Sequence, residues 1–348
     1  MIISIVIPTY NVAAHIEDCL CSVMRQTYSG AMECLIVDDC GTDDSLAIAE
    51  RMITEYDGPI RFEILHHEYN RGLSASRNTG TLHAKGDYIY YLDSDDFITD
   101  DCIEKMVAVV SKDSAVEIVQ GKHRIYGEET VFPLTRVHHE SHVVTNQMVR
   151  DDAYHKKVML TTAWNKLIKR STILQNHILF REGILCEDLL WSFYLVKYVS
   201  NVYYLSDITY LYKLTPKSIT RSTGRKRAGC NLMVIHKNII ANLTPGYERQ
   251  ELHFYGNDLS SCLLSYTYYY PAIKCVYRTY LKKAWQMRCY FLCIKLVTGY
   301  IIGQQRFGEK VLRFLLRIKH PYLIIRDVKR LGLFSSKKNN KVILIYLF

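Results

Sequence analysis

The chain lacks several features that identify common classes of protein. Its 11 cysteines include no Cys-x-x-Cys pair, which argues against a zinc site built on paired cysteines. With no cleavable signal peptide apparent, an odd number of cysteines favours reduced thiols, so we expect a cytoplasmic protein. No uninterrupted apolar run reaches the ~18 residues that a membrane-spanning helix needs. No nucleic-acid recognition motif is present, so we expect no nucleic-acid partner.

Acidic residues are scarce in the second part of the chain. Residues 1–215 contain 20 Lys and Arg against 30 Asp and Glu, whereas residues 216–348 contain 24 against 5. The net charge of +9 therefore divides into −10 and +19. A polybasic region of this kind implies an anionic partner. The hydrophobic content of 49% is ample for buried cores, and we predict two regions, 1–215 and 216–348.

Short apolar runs alternate with helical patterns over the first hundred residues. We predict strands over 2–8, 32–37, 61–65 and 88–92. Helices are predicted from Ile16 to Met24, from the turn at 41–45 to about Glu55, and over 73–84. This alternation predicts an α/β fold with a mostly parallel sheet and helices on both of its faces.

Carboxylates follow two of these predicted strands. Asp38 and Asp39 end the second strand, and three more follow the fourth: Asp93, Asp95 and Asp96. Crowded carboxylates repel one another unless a cation neutralises them. Ligand sets made only of oxygen suit Mg²⁺ or Mn²⁺, so we predict a divalent metal site at the second group. The alternative is a solvated loop in which Asp95 or Asp96 caps the next helix.

Four segments, in this order, resemble the motifs of family 2 glycosyltransferases. They are residues 4–11 (Ser-Ile-Val-Ile-Pro-Thr-Tyr-Asn), 35–39 (Leu-Ile-Val-Asp-Asp), 70–78 (Asn-Arg-Gly-Leu-Ser-Ala-Ser-Arg-Asn) and 92–96 (Leu-Asp-Ser-Asp-Asp). The resemblance implies the GT-A fold, a Rossmann-like fold of nucleotide-diphospho-sugar transferases. It places the nucleotide-sugar half at about 1–100 and the acceptor half at about 101–215. Residues 216–348 then form a basic, mainly helical C-terminal region.

The resemblance also implies which residues bind the nucleotide-sugar donor. The base and ribose of the donor are expected to contact Pro8, Thr9, Tyr10 and Asn11, together with Asp38 and Asp39. The ribose and the divalent metal are expected to be held by Asp93, Ser94 and Asp95, with Asp95 favoured over Asp96 as the metal ligand. Arg77 is a candidate second cation for phosphate or for the aspartates, because its planar guanidinium suits both. Its alternative is an arginine on a helix surface.

Glu187 and Asp188 begin an apolar helical stretch that ends near Val199. The resemblance identifies Asp188 as the catalytic base and Glu187 as its supporting neighbour. Without the resemblance, the pair would be interpreted as acidic residues that complement a helix dipole. One carboxylate that acts in line against a leaving diphosphate implies inversion at the anomeric carbon.

Other aromatic and histidine residues carry weaker signals. Trp164 lies before the acidic pair, and two interpretations are open for it: an aromatic residue that faces the acceptor sugar, as the family resemblance implies, or a core residue. His66 and His67, like the other histidines, show no metal-ligand spacing, and we predict that they lie on the surface.

Basic residues recur every three or four positions in the C-terminal region. Lys274, Arg278 and Lys282 form one such series, and Lys310, Arg313 and Arg317 form another. Such stripes favour helices in peripheral contact with an anionic membrane, here the inner face of the cell membrane. The alternative is a helical subdomain that packs on the catalytic domain and leaves its basic face in water.

Three functions are compatible with these patterns. The first is transfer of a hexose or N-acetylhexosamine from a nucleotide-sugar donor, UDP-linked, to a glycan or lipid-linked acceptor, in polysaccharide or cell-surface glycan synthesis. The second is a metal-dependent nucleotidyltransferase, which should show a Gly-, Arg- and Lys-rich phosphate loop after the first strand; Pro8 to Asn11 is not one. The third is a non-catalytic, membrane-docked glycan-binding protein on the same fold. The presence of four carboxylates argues against it: Asp38, Asp93, Asp95 and Asp188.

Overall fold

The structure is a computed structural model that describes residues 1–126, 140–156, 159–213, 225–266 and 273–303. The chain divides into two compact units, residues 1–222 and residues 223–348. The first unit is built from both strands and helices, and the described part of the second unit is helical.

The first unit begins with a regular alternation of strands and helices. Its first half contains β1 (Ile2–Thr9), α1 (Ile16–Met24), β2 (Ala31–Asp38), α2 (Ser45–Glu55), β3 (Arg61–His66), α3 (Leu73–His83) and β4 (Tyr88–Tyr91). Its second half contains β5 (Phe97–Ile98), α4 (Cys102–Lys112), β6 (Ile118–Tyr126), β7 (His142–Thr145), α5 (Gln147–Asp151), β8 (Lys166–Lys169), α6 (Arg170–Gln175), α7 (Glu187–Tyr198) and β9 (Asn201–Lys213). A π-helical turn, Asp152–Lys156, follows α5.

The described strands form one sheet in the order β3-β2-β1-β4-β8-β6-β9-β5, with β7 paired to β9. The first four strands are all parallel. β8 runs antiparallel to β4 and β6, whereas β9 is parallel to β6 and antiparallel to β5 and β7. The predicted α/β fold with a mostly parallel sheet is confirmed.

Parallel pairing explains why the first strands are continuously apolar. β1, β2 and β4 are buried on both faces because helices cover the sheet on each side. Ile5, Ile7 and Ile36 point into a core completed by apolar residues of α1, α2 and α4. On α3, Gly80 lies so close to β1 that a Cβ atom would come within 2.3 Å of Val6 Cγ1. The glycine therefore sets how closely this helix approaches the sheet.

The second unit contains four described helices: α8 (Arg225–Ala241), α9 (Glu248–Tyr266), α10 (Ile273–Gln286) and α11 (Tyr290–Gly303). Buried His236 joins three of them, with Nδ1 3.2 Å from the Tyr280 hydroxyl and Nε2 3.1 Å from Asp258 Oδ2. None of the described helices combines the length and apolar character needed to cross a membrane. The prediction of a mainly helical region is confirmed for these residues, whereas the basic series at Lys310, Arg313 and Arg317 lies outside them.

Candidate active site

The ends of three neighbouring parallel strands bring the predicted donor-binding segments to one edge of the sheet. Thr9, the last residue of β1, pairs in register with Asp38, the last residue of β2. β4 lies on the other side of β1, and Asp93 follows it by two residues. The carboxyl ends of parallel strands are where open α/β sheets bind ligands, so this edge is the first part of the candidate site.

The residues at the end of β1 differ in exposure. Pro8 and Thr9 are buried within the sheet, whereas Tyr10 projects into solvent. Asn11 adopts a left-handed conformation with φ of 51°, and its Oδ1 accepts a 2.7 Å hydrogen bond from the Thr42 amide. Asn11 therefore shapes the loop, and Tyr10 and Asn11 are the residues of this segment that are exposed to a ligand.

Asp38 and Asp39 have different surroundings. Asp38 Oδ1 accepts a hydrogen bond from the Gly41 amide at 3.1 Å, and its Oδ2 lies 3.4 Å from the exposed His66 ring. Asp39 is buried, and its carboxylate accepts hydrogen bonds from the amides of Arg71 and Gly72 at 2.8 and 2.7 Å. These bonds hold the turn that starts α3. The role of Asp39 in donor binding stays a prediction, but its oxygens already serve the fold.

His67 corrects one expectation. We predicted a surface histidine, but His67 is buried, with Nδ1 2.6 Å from Asp39 Oδ1 and Nε2 2.9 Å from Thr79 Oγ1. A carboxylate that already receives two amides gains a third partner in this way. His67 thus helps to fix the turn between β3 and α3.

Arg77 is the centre of the site. Its side chain is 1% exposed, so the alternative of a surface arginine is wrong. Nη2 donates to Asp93 Oδ1 at 2.7 Å, while Nη1 donates to Glu187 Oε1 at 2.8 Å and to Asp188 Oδ1 at 2.9 Å. One guanidinium thereby links the end of β4 to the start of α7. Charge-assisted bonds of this kind fix geometry as well as contributing energy.

Two neighbouring contacts explain how residues 110 positions apart in sequence come together. Asn78, next to Arg77 on α3, forms paired hydrogen bonds with the backbone of Phe180, each 2.8 Å long. The Phe180 ring lies under the Arg77 guanidinium at 5.2 Å and stacks on Trp191 of α7 at 4.7 Å. The segment before α7 is therefore fastened to α3, and this sets the position of Glu187 and Asp188.

The electrostatics of this cluster shift the pKa values of its members. Burial disfavours a charged Arg77, but Asp188, Asp93 and Glu187 outweigh that effect and raise its pKa, so it stays a cation. For Asp188, burial is the largest cause and raises the pKa to about 7. Arg77 acts against this rise, whereas Glu187 and Asp93 add to it. Three carboxylates share one arginine, and the partly buried Asp188 therefore binds a proton more readily than an aspartate in water.

Lys166 is a residue of the site that the sequence patterns did not identify. It lies at the start of β8, is fully buried, and its Nζ donates to the Thr162 carbonyl oxygen at 2.6 Å. Burial lowers its pKa to about 7, although the Asp188 carboxylate favours its charged form. The sequence offered little signal for this residue, because Lys166 directly precedes the apolar pair Leu167–Ile168 but lysine is seldom fully buried.

The acidic group after β4 separates into two parts. Buried Asp96 accepts hydrogen bonds from the Tyr210 hydroxyl at 2.6 Å and from the Lys213 amide at 2.7 Å. Its pKa is raised well above its usual value, first by burial and then by Asp95 and Asp93. Asp93 and Asp95 are half-buried at the strand end, on either side of buried Ser94. Asp96 therefore holds β9 in place, and Asp93 and Asp95 lie partly exposed at the end of β4.

The described residues contain no group of three or more His, Cys, Asp or Glu side chains placed to hold a metal ion. Mg²⁺ and Mn²⁺ are commonly bound by one or two carboxylates and complete their ligand shell with substrate phosphates and water. Asp93 and Asp95 supply a pair of this kind. The residues present therefore fit a metal that arrives together with a diphosphate.

Trp164 belongs to an aromatic cluster. Its side chain is 6% exposed, and it stacks on Tyr210 at 4.5 Å and on Tyr212 at 5.8 Å. The edge of His123 completes the cluster at 5.2 Å. Of the two interpretations of this tryptophan, the core residue is the one that its burial favours.

Comparisons with known proteins agree with this geometry. The sequence model of the glycosyl transferase family 2 matches residues 4–174, which contain both strand-end acidic groups and Arg77. Over these residues the chain belongs to glycosyltransferase family 2. Glycosyltransferase GlyA of Streptococcus pneumoniae is 31% identical over 228 residues, a match that covers 63% of this chain but only 31% of GlyA.

Solved structures share the fold of this family 2 protein. Residues 1–349 of TarS from S. aureus, in complex with UDP-GlcNAc, superpose with a TM-score of 0.61 at 18% identity, over 90% of this chain and 92% of that one. The mannosyltransferase PcManGT from Pyrobaculum calidifontis, in complex with GDP-Man and Mn²⁺, gives 0.56 at 15% identity, over 99% and 84%. At these identities the similarity shows the fold alone, and the GT-A prediction is confirmed.

Proposed function

We propose that this protein is an inverting glycosyltransferase that moves a sugar from a UDP-linked donor to a hydroxyl group of a glycan or lipid-linked acceptor. The observation that most directly supports this function is that Arg77 bridges Asp93 and Asp188. The guanidinium lies within 2.9 Å of both Asp93, at the donor-binding strand end, and Asp188, the expected base. One guanidinium thus fixes the proposed base relative to a carboxylate proposed to bind the donor, and such fixed orientation is what transfer requires.

We assign donor binding to the carboxyl ends of β1, β2 and β4. Exposed Tyr10 offers a ring for the nucleotide base, and Asp38, at the end of the neighbouring strand, offers a carboxylate for the uracil or ribose. Asp93 and Ser94 face the ribose and diphosphate. The UDP-GlcNAc complex of TarS, which shares this fold, supports a UDP-linked hexose or N-acetylhexosamine as the donor.

Asp93 and Asp95 are the residues that would hold a divalent cation, Mg²⁺ or Mn²⁺. When bound, such a cation supplies positive charge that stabilises the leaving diphosphate without a proton transfer. The Mn²⁺ complex of PcManGT, which shares the fold, supports a divalent cation as the cofactor. Asp96 is left out of the ligand set because Tyr210 and Lys213 occupy its two oxygens.

Asp188 carries out the proton transfer. Its carboxylate takes the proton of the acceptor hydroxyl while the hydroxyl oxygen forms a bond to the anomeric carbon. The bond between that carbon and the diphosphate oxygen breaks, and its electron pair leaves with the nucleoside diphosphate. Attack opposite the leaving group inverts the configuration. A pKa raised to about 7 makes Asp188 a stronger base than an ordinary aspartate, which favours proton transfer near neutral pH.

The test separates donor binding from transfer. The purified chain is incubated with a panel of UDP-, GDP- and dTDP-sugars and Mn²⁺, and nucleotide release is measured with acceptor glycans. Asp188→Asn should lower transfer by roughly 10²–10⁴-fold, the usual contribution of a positioned base, with donor affinity nearly intact. Asp95→Asn should abolish the Mn²⁺-dependent part of UDP affinity in calorimetry.

Asp100→Asn is the matched control, because Asp100 is an exposed carboxylate paired only with Arg25 in the described contacts. It should leave both measurements unchanged. Transfer by Asp188→Asn within a few-fold of the wild type would show that another residue is the base. Unchanged Mn²⁺ dependence in Asp95→Asn would remove Asp95 from the metal site. No release from any sugar nucleotide by the folded wild type would overturn the proposal itself.

A further inference from the structure

Three large aromatic side chains are exposed where α10 meets α11. Trp285 near the end of α10 is 65% exposed, and Tyr290 and Phe291 at the start of α11 are 53% and 60% exposed. The Trp285 and Tyr290 rings contact each other edge to face at 5.4 Å. We call these three residues the aromatic corner. Large clustered aromatic side chains in water usually mark a binding surface.

The backbone of the aromatic corner is well defined. The Cys289 amide donates to the Ala284 carbonyl at 2.8 Å and the Arg288 amide donates to the Trp285 carbonyl at 3.0 Å, the paired bonds of a Schellman helix end. Ala284, Cys289 and Leu292 are buried beneath it. The rings are therefore exposed because of a folded turn that presents them outward.

Arg288 occupies the position in this helix end where glycine is usual. Its φ is 57°, in the left-handed region that disfavours residues with a Cβ atom. Arg288 is thus an exposed cation that is held in a strained backbone conformation, in the same turn as the three rings. A strained residue of this kind points to a use for its side chain.

Cations surround the aromatic corner and acids are absent from its sequence. Lys282, Arg288 and Lys295 are exposed, and Lys295 Nζ lies 4.9 Å from the centre of the Phe291 ring. From residue 259 to residue 308 the chain contains no Asp or Glu. The surface therefore combines exposed aromatic rings with exposed cations.

We infer that the aromatic corner docks the protein on the surface of an anionic phospholipid bilayer. Tryptophan and tyrosine rings prefer the boundary between headgroups and acyl chains, and nearby Lys and Arg side chains are attracted to anionic headgroups. The contact that we infer is with the bilayer surface, through these exposed side chains. Charge complementarity selects the bilayer over an uncharged surface. The inference does not depend on the proposed transfer reaction.

The tryptophans give a direct readout. Of the three in the chain, Trp164 and Trp191 are buried and Trp285 is exposed. Full-length protein is mixed with vesicles of phosphatidylcholine alone, or with phosphatidylglycerol added, and binding is followed by sedimentation and by quenching with brominated lipid. We expect binding to the anionic vesicles only, weaker at high salt, with quenching that Trp285→Phe removes.

Two variants test the surface itself. Trp285→Ser/Phe291→Ser and Lys282→Gln/Arg288→Gln/Lys295→Gln should each lower vesicle affinity by at least about tenfold. Tyr69→Ser/Leu82→Ser, which removes exposed apolar side chains from the first unit, should bind like the wild type. Asp188→Asn should also bind like the wild type, so failure of docking and failure of transfer are distinguishable.

Three results would overturn the inference. The first is equal binding to neutral and anionic vesicles. The second is unchanged affinity in both aromatic and charge variants whose melting curves show that they are folded. The third is loss of self-association, measured by sedimentation velocity, as the only effect of the aromatic variant; this would make the corner an interface between copies of the chain.

Discussion

Arg77 has to satisfy three carboxylates with one planar guanidinium, and this determines the chemistry of each of them. Glu187 and Asp188 share a single nitrogen, Nη1, while Asp93 takes Nη2. Burial is the main reason why the pKa of Asp188 rises although an arginine touches it, and the negative charges of Glu187 and Asp93 add to that rise. Removing Arg77 would leave the buried Glu187 without its cation, so a substitution there would damage folding and catalysis together.

Lys166 allows the charge on Asp188 to be tested without breaking this bridge. Asp188 must lose its proton to act as the base, so kcat/KM should fall below a pH of about 7, tenfold for each pH unit. The Lys166 cation lowers the pKa of Asp188, so Lys166→Met should move this acid limb to higher pH. The measurement is the pH dependence of kcat/KM at saturating Mn²⁺.

Lys169→Met is the control, because Lys169 lies on the same strand but its Nζ donates to the Ser114 carbonyl, away from the cluster. Its pH profile should match the wild type. An acid limb that does not move in folded Lys166→Met would show that Asp188 is not the titrating base.

The raised pKa of Asp188 also affects stability. Since the folded pKa of Asp188 lies above its usual 3.8, this carboxyl stabilises the fold most in acid, and that contribution is lost as pH rises through about 7.

At the level of elements, local sequence patterns predicted the strands and helices, because these depend on residues that are close in sequence. Continuous apolar runs gave β1 and β4 within a residue of their observed ends, and helical spacing gave α3 in the same way. The meeting of Arg77 with Asp188 could not be read from spacing, because it depends on how residues 178–182 dock on α3 through Asn78. Lys166 was missed because nothing in the local pattern Lys-Leu-Ile-Lys distinguishes a buried lysine from an exposed one.

The approach of α3 to β1 is limited by Gly80. Gly80→Ala gains about 1 kcal/mol of helix propensity but forces a methyl group against Val6, and overpacking of this kind costs about 1–3 kcal/mol. A Cβ atom there would lie 2.3 Å from Val6 Cγ1 in the present backbone. We expect a net loss of free energy of unfolding, measured by urea denaturation.

The matched test is a double-mutant cycle with Val6→Ala, which removes the clashing methyl groups. In that background Gly80→Ala should cost less or should stabilise, giving a coupling energy of about 0.5–3 kcal/mol. Equal effects of Gly80→Ala in both backgrounds would mean that the close approach to Val6 does not limit this helix. Donor binding should weaken along with stability, because α3 carries Arg77.

At the scale of the whole molecule, charge and chemistry are divided between the two units. Residues 1–222 contain 22 Lys and Arg against 30 Asp and Glu, and residues 223–348 contain 22 against 5. The described ion pairs of Arg77 all lie in the first unit, and the aromatic corner lies in the second. A shared negative charge suits binding of a metal with its nucleotide, and a positive unit suits an anionic surface.

This division predicts that the first unit works as a donor-binding module on its own. A chain that ends at Ser222 keeps all nine described strands of the sheet, including Lys213, whose amide donates to buried Asp96. It should unfold cooperatively and bind UDP with Mn²⁺ within a few-fold of the full chain, while it loses binding to anionic vesicles. The measurements are thermal denaturation, calorimetry and vesicle sedimentation.

A chain that ends at Leu211 is the control for this truncation. It removes the Lys213 amide and leaves one oxygen of buried Asp96 without its partner, which costs about 1–3 kcal/mol. It should therefore melt at a lower temperature than the chain that ends at Ser222. If the longer fragment shows no cooperative transition, the first unit needs the second in order to fold. If that fragment folds but retains vesicle binding, the acidic unit contacts lipid, and the assignment of membrane docking to the aromatic corner is wrong.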